Sequence, residues 1–554
     1  MNRLTPVAAL AAAIACQAVG AAEPVPLLPT RDPCAACSRP APQDAGVQSL
    51  PAPPAPEALA FRMNGVRLTG APALDAAEVR ALVQPYVGRD VTLDDLEALA
   101  RRITARYRDG GYFLAQAVVP VQTVENGVVE ISVIEGRMGR IEVQVASDTP
   151  ISEARVRAFL APIEVGKAVN APSYERAMLL LSDQPGLRVS SGLQEGVQNG
   201  TTDLGVEVVA GSPYTFSAEA DNQGTRELGR YRAGGTFRWL SPLGIGDNLD
   251  VRALVSNSNA LQYGRVAYEA PLGSSGLRAG VGLGRINYEL GGAFQALDAR
   301  GTADVADVSL SYPLIRQRQQ NLFLRVSADT KRLTDEFRAV SFEARKRING
   351  AGVGWTWERR DEFMGGGYWA SSGNLYRGSL SILDAQSLAF DQSVAGRATE
   401  GGYSKLNVLF SRLQSVLPRH SLYLSMGAQR ASGNLDPSEK LSLGGARAVR
   451  AYAGSEALVD EGQIGIVEWR WSYSDELTPF AFYDAAHGQP ARRPAPTDGT
   501  NGISLRGYGV GAAWARVGAF TFNATLAWRD GTRVPLTDGG YRGPRLFVQL
   551  QKVF

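Results

Sequence analysis

From about residue 214 onward the chain loses every helical period and keeps a period of two, in segments of about ten residues broken by turns rich in Gly, Asn, Asp and Pro. Residues 321–330 show the pattern: Leu322, Leu324, Val326 and Ala328 fall on one face, and Phe323, Arg325, Ser327 and Asp329 on the other. Residues 519–529 repeat it, with Phe520, Phe522, Ala524, Leu526 and Trp528 together. Successive side chains of a strand point to opposite faces, so each segment has one apolar and one polar side. An apolar face toward lipid and a polar face toward a lumen predict a membrane β-barrel over 213–554, and about sixteen such segments match the even strand number of bacterial barrels. Closure into a barrel pairs every backbone group without water, which an open sheet in lipid cannot do. A soluble β-sandwich is disfavoured, because charged residues sit on the face that would be its core. The last segment, 544–554, alternates Leu546, Val548 and Leu550, is interrupted by Lys552, and ends on Phe554, read as the C-terminal barrel signal. A lysine near the interface tolerates this by extending its amine to water.

The N-terminus carries an export address. Met1-Asn2-Arg3 precedes an apolar run over 7–19 and the small residues Gly20-Ala21-Ala22, which predicts a signal peptide over 1–22. A lipoprotein signal acylated at Cys16 is the competing reading, and Ala13-Ile14-Ala15-Cys16 matches it only loosely. Beyond this run no apolar stretch approaches the ~18–20 residues of a spanning helix. Residues 23–58 hold Pro40, Pro42, Pro51, Pro53, Pro54 and Pro56 and read as an extended periplasmic linker. Cys34 and Cys37 lie in it and read as a local disulfide or a pair poised for exchange rather than a metal site, since a structural zinc wants about four ligands and His420 and His487 are remote in sequence. The net charge of +2 argues against a strongly acidic or basic partner such as nucleic acid. No Gly-x-Ser-x-Gly elbow is present, and Gly280-Val281-Gly282-Leu283-Gly284 lies inside an alternating strand, so neither an enzyme nor a cofactor site is expected.

Between linker and barrel one unit occurs twice. Residues 61–70 read as a strand, 75–87 and 92–107 as helices, and 115–122 with 128–135 as a hairpin around Glu125-Asn126-Gly127. The same order recurs as a strand at 139–146, helices at 152–160 and 174–182, and a hairpin of 187–194 with 203–209 across Asn199-Gly200. A unit of about seventy-five residues repeated in this way is a structural repeat, with modules at 59–137 and 138–212.

Two strand-helix-helix-strand-strand modules before a sixteen-stranded barrel resemble the TpsB transporters of two-partner secretion, a branch of the BamA superfamily that includes the filamentous haemagglutinin and haemolysin secretors. The modules are similar to POTRA domains. The most specific match is Gly444-Gly445-Ala446-Arg447-Ala448-Val449-Arg450-Ala451-Tyr452, which resembles the family's Val-Arg-Gly-Tyr/Phe motif on the long loop after the eleventh strand, here 432–461. The resemblance implies that this loop folds back into the barrel and that Arg450 pairs with the aspartate of a Phe-x-Asp motif, here Phe482 and Asp484. Ala451 stands where the family usually has Gly, which would strain the loop if the position needs a positive φ. Phe480, Phe482 and Asp484 share one face of their strand, and a carboxylate cannot cheaply face lipid. Glu468 and Arg470 share a face of the preceding strand, so Glu468 and Asp484 offer an acidic pair to an incoming guanidinium. The family's N-terminal plug helix is not expected, because 23–40 contains Pro24, Pro26, Pro29, Pro33 and Pro40.

The resemblance implies a Gram-negative outer-membrane translocator, with POTRA domains in the periplasm. These would recognise an unfolded TpsA-type client and pass it through the barrel to the cell surface. The other partners implied are outer-membrane lipids and lipopolysaccharide, with a monomeric barrel. An outer-membrane assembly factor of the same superfamily is the second reading, though such chains typically carry longer strings of modules. The sequence leaves the client open between an adhesin, a haemolysin, a contact toxin and a haem-acquisition protein.

Overall fold

In a computed structural model, residues 60–70, 75–496, 498–535, 537, 541 and 543–554 are described. The expected signal peptide, the linker 23–58 and the cysteines Cys34 and Cys37 lie outside them. One compact unit ends at Gly211 and a second begins at Ser212.

The first unit contains both modules. In the first, Gly65–Thr69 runs parallel to Val128–Ile134, which pairs antiparallel with Gln116–Val118. In the second, Arg137–Val145 runs parallel to Thr201–Ala210, which pairs antiparallel with Leu187–Glu195. Each sheet therefore has the same order, with the last strand in the middle. Two helices cover one face of each sheet. In the first module the long helix Leu93–Asp109 buries Leu96, Leu99, Ile103 and Tyr107 at helical spacing against Val129 and Ile131. Reciprocal capping boxes start both of its helices, from Asp75 to Glu78 and from Thr92 to Asp95. The second core packs Val156, Phe159, Leu160 and Leu181 on Leu204 and Val206.

Element edges differ from the sequence reading in four places. The strand expected over 61–70 is two pieces: Phe61–Arg62 pairs with Asp90–Val91, and only Gly65–Thr69 joins the main sheet. The change of partner occurs where the Met63 N–H donates to Arg89 O and the Asn64 N–H to Gly127 O. The first helix stops at Val83, and a short turn holding Pro85 follows. The second helix of the second module starts earlier than expected, at Ala171, with Pro172 in its first turn. The hairpin strand expected over 115–122 is paired only at Gln116–Val118. Pro120 has no N–H, and Gln122 continues the pairing with its side chain instead. Its amide donates to Glu130 O at 2.7 Å and accepts from the Glu130 N–H at 2.6 Å.

The second unit is a closed antiparallel barrel of sixteen strands among the described residues. Strand 1 is Tyr214–Asp221 and strand 16 is Arg545–Val553. Each strand pairs with its neighbour in sequence, and strand 16 closes on strand 1. Leu324, Val326 and Val353 stand exposed on the outside, whereas Arg325 points inward and donates to Ser309 Oγ at 2.9 Å. Strands 6 to 10 are the longest: Ala299–Arg316, Gln320–Phe337, Phe342–Asp361, Gly367–Ile382 and Gly401–Leu417. A transmembrane strand needs about 9–11 residues, so these project beyond the bilayer. The inner faces of their outer ends, with those of strands 4 and 5, form an apolar core that includes Ile286, Leu333, Ile348, Tyr376 and Leu380. Phe554 closes the periplasmic rim. Its N–H donates to Phe216 O at 2.8 Å, its ring lies 5.5 Å from that of Phe216, and the Lys552 amine sits 4.4 Å above it.

Gln122→Ala should leave the Glu130 N–H and C=O without these partners, at a cost of about 1–3 kcal/mol. Hydrogen exchange on the intact chain tests it: the Glu130 amide should exchange at least tenfold faster, while Ile131 in the core stays protected. Unchanged exchange at Glu130 would show that the side chain does not carry the pairing.

Candidate functional site

The long loop leaves strand 11 (His420–Ala431) and returns as strand 12 (Glu461–Trp471), so it spans 432–460, and Glu461 belongs to the wall rather than the loop. A small hairpin of Leu441–Ser442 with Leu458–Val459 forms its stem. Beyond the stem the chain turns back on itself. The Val449 N–H donates to Leu443 O, the Gly445 N–H to Tyr452 O, and the Tyr452 N–H to Val449 O. Gly445 has φ +105°, and a Cβ at Gly444 would stand 2.3 Å from Ala453 O, so both glycines are required by the tight turn. Leu443, Val449, Ala451 and Tyr452 are buried against inner-wall residues including Phe482, Ala486 and Leu505.

Arg450 is the polar centre of this apolar packing, and it is itself buried. Its Nε donates to Asp484 Oδ2 at 2.8 Å and its Nη2 to Asp484 Oδ1 at 2.6 Å, a two-pronged contact. Its backbone N–H also donates to Asp484 Oδ2, at 3.0 Å. The third prong, Nη1, donates to Glu468 Oε1 at 2.6 Å, and the other Glu468 oxygen accepts from Arg470 at 2.6 Å. The guanidinium carbon lies 3.4 Å from the centre of the Phe482 ring, a cation–π contact. The structure thus brings Arg450 together with Glu468, Phe482 and Asp484, on a loop between strands 11 and 12 and a wall made by strands 12 and 13 (Leu477–Gln489). Burying a guanidinium and two carboxylates is costly unless every prong is used, and here each is.

Ala451 shows no left-handed strain, since it is not among the residues of positive φ. What it does need is room. On strand 14 (Ile503–Arg516) the glycines Gly507, Gly509 and Gly511 lie opposite Asp484, Phe482 and Phe480. A Cβ at Gly507 would meet the Ala451 methyl at 2.6 Å, and one at Gly509 or Gly511 would enter the rings of Phe482 or Phe480. This stripe of three glycines was missed in the sequence, although their spacing of two places them on one face.

A second contact set was also missed. The rising limb of the loop carries Asp436, Glu439 and Lys440. Asp436 takes the Lys346 amine at 2.8 Å, Glu439 takes Lys331 and Lys405 at 2.6 Å each, and Lys440 crosses to Asp460 on the falling limb at 2.7 Å. Lys331, Lys346 and Lys405 come from strands 7, 8 and 10, on the other side of strand 11 from the wall that holds Arg450. Burial pushes the Glu439 carboxyl up, but the two ammonium groups outweigh it and hold it at about 2. The signal for this clamp was the parity of Lys331, which continues the polar face of Arg325, Ser327 and Asp329.

A barrel filled by a loop pinned at its tip and clamped at its base is not a passive pore. With folded modules ahead of it, it defines an outer-membrane barrel that moves polypeptide. The chain belongs to the family of haemolysin secretion/activation proteins typified by ShlB, FhaC and HecB, whose model matches residues 200–514. Residues 61–136 match the ShlB-type POTRA domain. Relatives include the heme/hemopexin transporter protein HuxB of Haemophilus influenzae, 28% identical over 463 residues, covering 81% of this chain and 80% of that one. The outer membrane transporter CdiB of Escherichia coli is 25% identical over 400 residues, covering 71% and 66%. The solved structure of CdiB from Escherichia coli superposes with a TM-score of 0.70 over 93% of this chain and 94% of that one, at 20% identity. The chain is therefore an outer-membrane transporter of two-partner secretion, with its POTRA domain in the periplasm.

Gly507→Ala should displace the loop tip and reduce export of the client several-fold, and the second change Ala451→Gly should restore most of it. Export measured for the single and double variants checks this; equal export by wild type and Gly507→Ala would refute the contact. Glu439→Gln should leave Lys405 without its carboxylate and Lys331 with the longer contact to Asp329 at 3.8 Å, and single-channel recordings should show more frequent openings than in the wild type. Because the carboxyl is depressed from 4.5 to about 2, its stabilisation is complete above the ordinary carboxylate range and disappears only as pH falls toward 2. The excess of openings in Glu439→Gln over the wild type should therefore be the same at about pH 7 and 5.

Proposed function

We propose that the chain captures an unfolded exported client through two periplasmic POTRA domains and threads it through the barrel as the Arg450 latch yields. The buried contact of Arg450 with Asp484 and Glu468 carries this reading, because a lumen filled by a pinned loop transports only if the pin can move. Residues 59–137 and 138–212 are taken as the two domains; their identical sheet order supports counting the second with the first. Residues 1–22 serve as signal peptide and 23–58 as linker. The edge strands Gly65–Thr69, Arg137–Val145 and Leu187–Glu195 offer backbone groups to an extended client segment.

No covalent step is assigned to the chain. Transfer is drawn forward by folding of the client outside, since no nucleotide is at hand in the periplasm. The exposed apolar belt meets outer-membrane lipid and lipopolysaccharide, and a closed barrel leaves no edge that a second copy must cover, so the chain acts as a monomer. HuxB is named for heme/hemopexin transport, and a haem-scavenging exoprotein is accordingly the first client class to seek.

Proteomics of medium and outer membranes, with and without the chain, tests the reading. One large exported protein should vanish while other barrels keep their levels; a broad fall in many outer-membrane proteins would mean an assembly factor instead. In the same cells Arg450→Ala should abolish or strongly cut export, with the barrel still inserted. A triple change of Arg450→Met with Asp484→Asn and Glu468→Gln, which leaves no buried charge unpaired at the latch because Arg470 is half-exposed, should insert normally and still fail to export. Normal export by both variants would defeat the latch.

A further inference from the structure

The outer face of strands 7 and 8 carries a charge arrangement that transport leaves unused. Their register sets Arg332 directly opposite Arg347, and Arg345 is the next outward residue on strand 8. All three are exposed. Like charges directly opposite on a sheet repel, so this pair is unfavourable unless an anion joins it. The nearby acids are engaged. Asp304, opposite Arg332 on strand 6, faces Arg285 at 3.5 Å, and Glu336 takes Arg338 at 3.1 Å. Glu343 lies 3.5 Å from Arg345 itself. Among the described residues no carboxylate forms an ion pair with Arg332 or Arg347.

Their height is set by the rows beneath them. Thr330 donates to Asn349 at 2.7 Å in the next outward row. Below come Ala328 with Ala351, Val326 with Val353, Leu324 with Trp355, and Leu322 with Trp357. Ten residues separate Leu322 from Arg332. At ~3.3 Å per residue and a tilt of about 40° they rise roughly 25 Å, the height of the apolar belt of a membrane barrel. Strand 1 leaves the periplasmic side and odd strands run outward, so the arginines stand at the outer-leaflet rim.

We propose that Arg332, Arg345 and Arg347 form a binding site for a phosphorylated glycolipid of the outer leaflet, a lipid with phosphates on its sugar headgroup. This deepens the lipid contact proposed above. A guanidinium matches a phosphate with two parallel hydrogen bonds, and one phosphate between Arg332 and Arg347 turns their repulsion into a shared contact. Thr334 lies opposite Arg345 and Ser381 opposite Arg347, offering hydroxyls to the sugar. The acyl chains would lie along Val326 and Val353. Strand alternation makes the site the reverse side of the inner clamp: Lys331 and Lys346, which hold the pore loop, are the sequence neighbours of Arg332 and Arg347.

The test uses the intact chain in detergent, by native mass spectrometry with lipid A bearing two phosphates, phosphatidylethanolamine, or inorganic phosphate. One equivalent of lipid A should be retained by the wild type, at least tenfold less by the double variant R332Q/R347Q, and an intermediate amount by R332K/R347K. Heat-modifiable migration should show all three barrels folded. Equal retention by wild type and the glutamine variant would overturn the site, as would equal retention of phosphatidylethanolamine. Protection against thermal unfolding by inorganic phosphate alone, matching that by lipid A, would reduce it to a simple anion patch and overturn the lipid assignment. Export is scored separately through the Arg450 variants, so failure here leaves the transport reading standing.

Discussion

Everything inside this barrel depends on the backbone hydrogen bonds that close it. In hydrocarbon an unpaired N–H or C=O has no water to turn to and costs several kcal/mol, so the sheet has to close. The joint between strands 16 and 1 is its shortest, with residues 549–553 paired to 217–221, whereas strands 7 and 8 pair along 320–337. One side chain lengthens it. The Val548 N–H donates to Asn222 Oδ1 at 2.7 Å, and Asn222 Nδ2 donates to Leu546 O at 2.9 Å. The Asn222 N–H then reaches Val548 O at 3.2 Å. Phe554 extends the other end. An amide side chain and a terminal residue thus satisfy backbone groups that the ladder does not reach, much as Gln122 does in the first module.

Closure creates a lumen, and a lumen lined by charge selects what can sit in it. The loop answers with charge at two levels, Arg450 at the tip and Asp436 with Glu439 at the base. Such pairs are weak evidence for stability, because each ion leaves water to form them. They are strong evidence for position. A displaced apolar loop would find other apolar contacts, but a displaced Arg450 would give up a two-pronged carboxylate, a second acid beside it and an aromatic face at once. Breaking either set removes partners from buried charge, a penalty of about 3–5 kcal/mol that holds the loop where it lies.

Glu468 and Asp484 were legible from residue type and strand parity, since a carboxylate on a lipid-spanning strand has one tolerable direction, whereas Arg450 and Phe482 were legible through the resemblance of their motifs. The modules were legible because two periods, 3.6 and 2, alternate in the same order twice. What stayed hidden depends on register. Gly507, Gly509 and Gly511 look like ordinary strand glycines until strand 14 is set against strand 13, and only then does each lie under a side chain. Lys331, Lys346 and Lys405 could be placed on the inner face, but the acids that meet them are on a loop whose path no periodicity describes. The break after Arg62 escaped because a change of hydrogen-bond partner leaves no mark in side-chain alternation.

The tall wall of strands 6 to 10 joins these levels. On its inner face two kinds of contact share the same rows: Lys346 lies opposite Leu333 and Lys331 opposite Ile348, so the lysines that hold Asp436 and Glu439 stand among the apolar residues that pack with Leu435 from the loop. Parting that core would expose apolar surface to water, which favours its re-burial. The packed arrangement is therefore the favoured one and needs no input to hold it. The lysine clamp fixes the same place: Leu435 lies next to Asp436 in sequence, so the apolar packing of the one and the ion pair of the other with Lys346 form together.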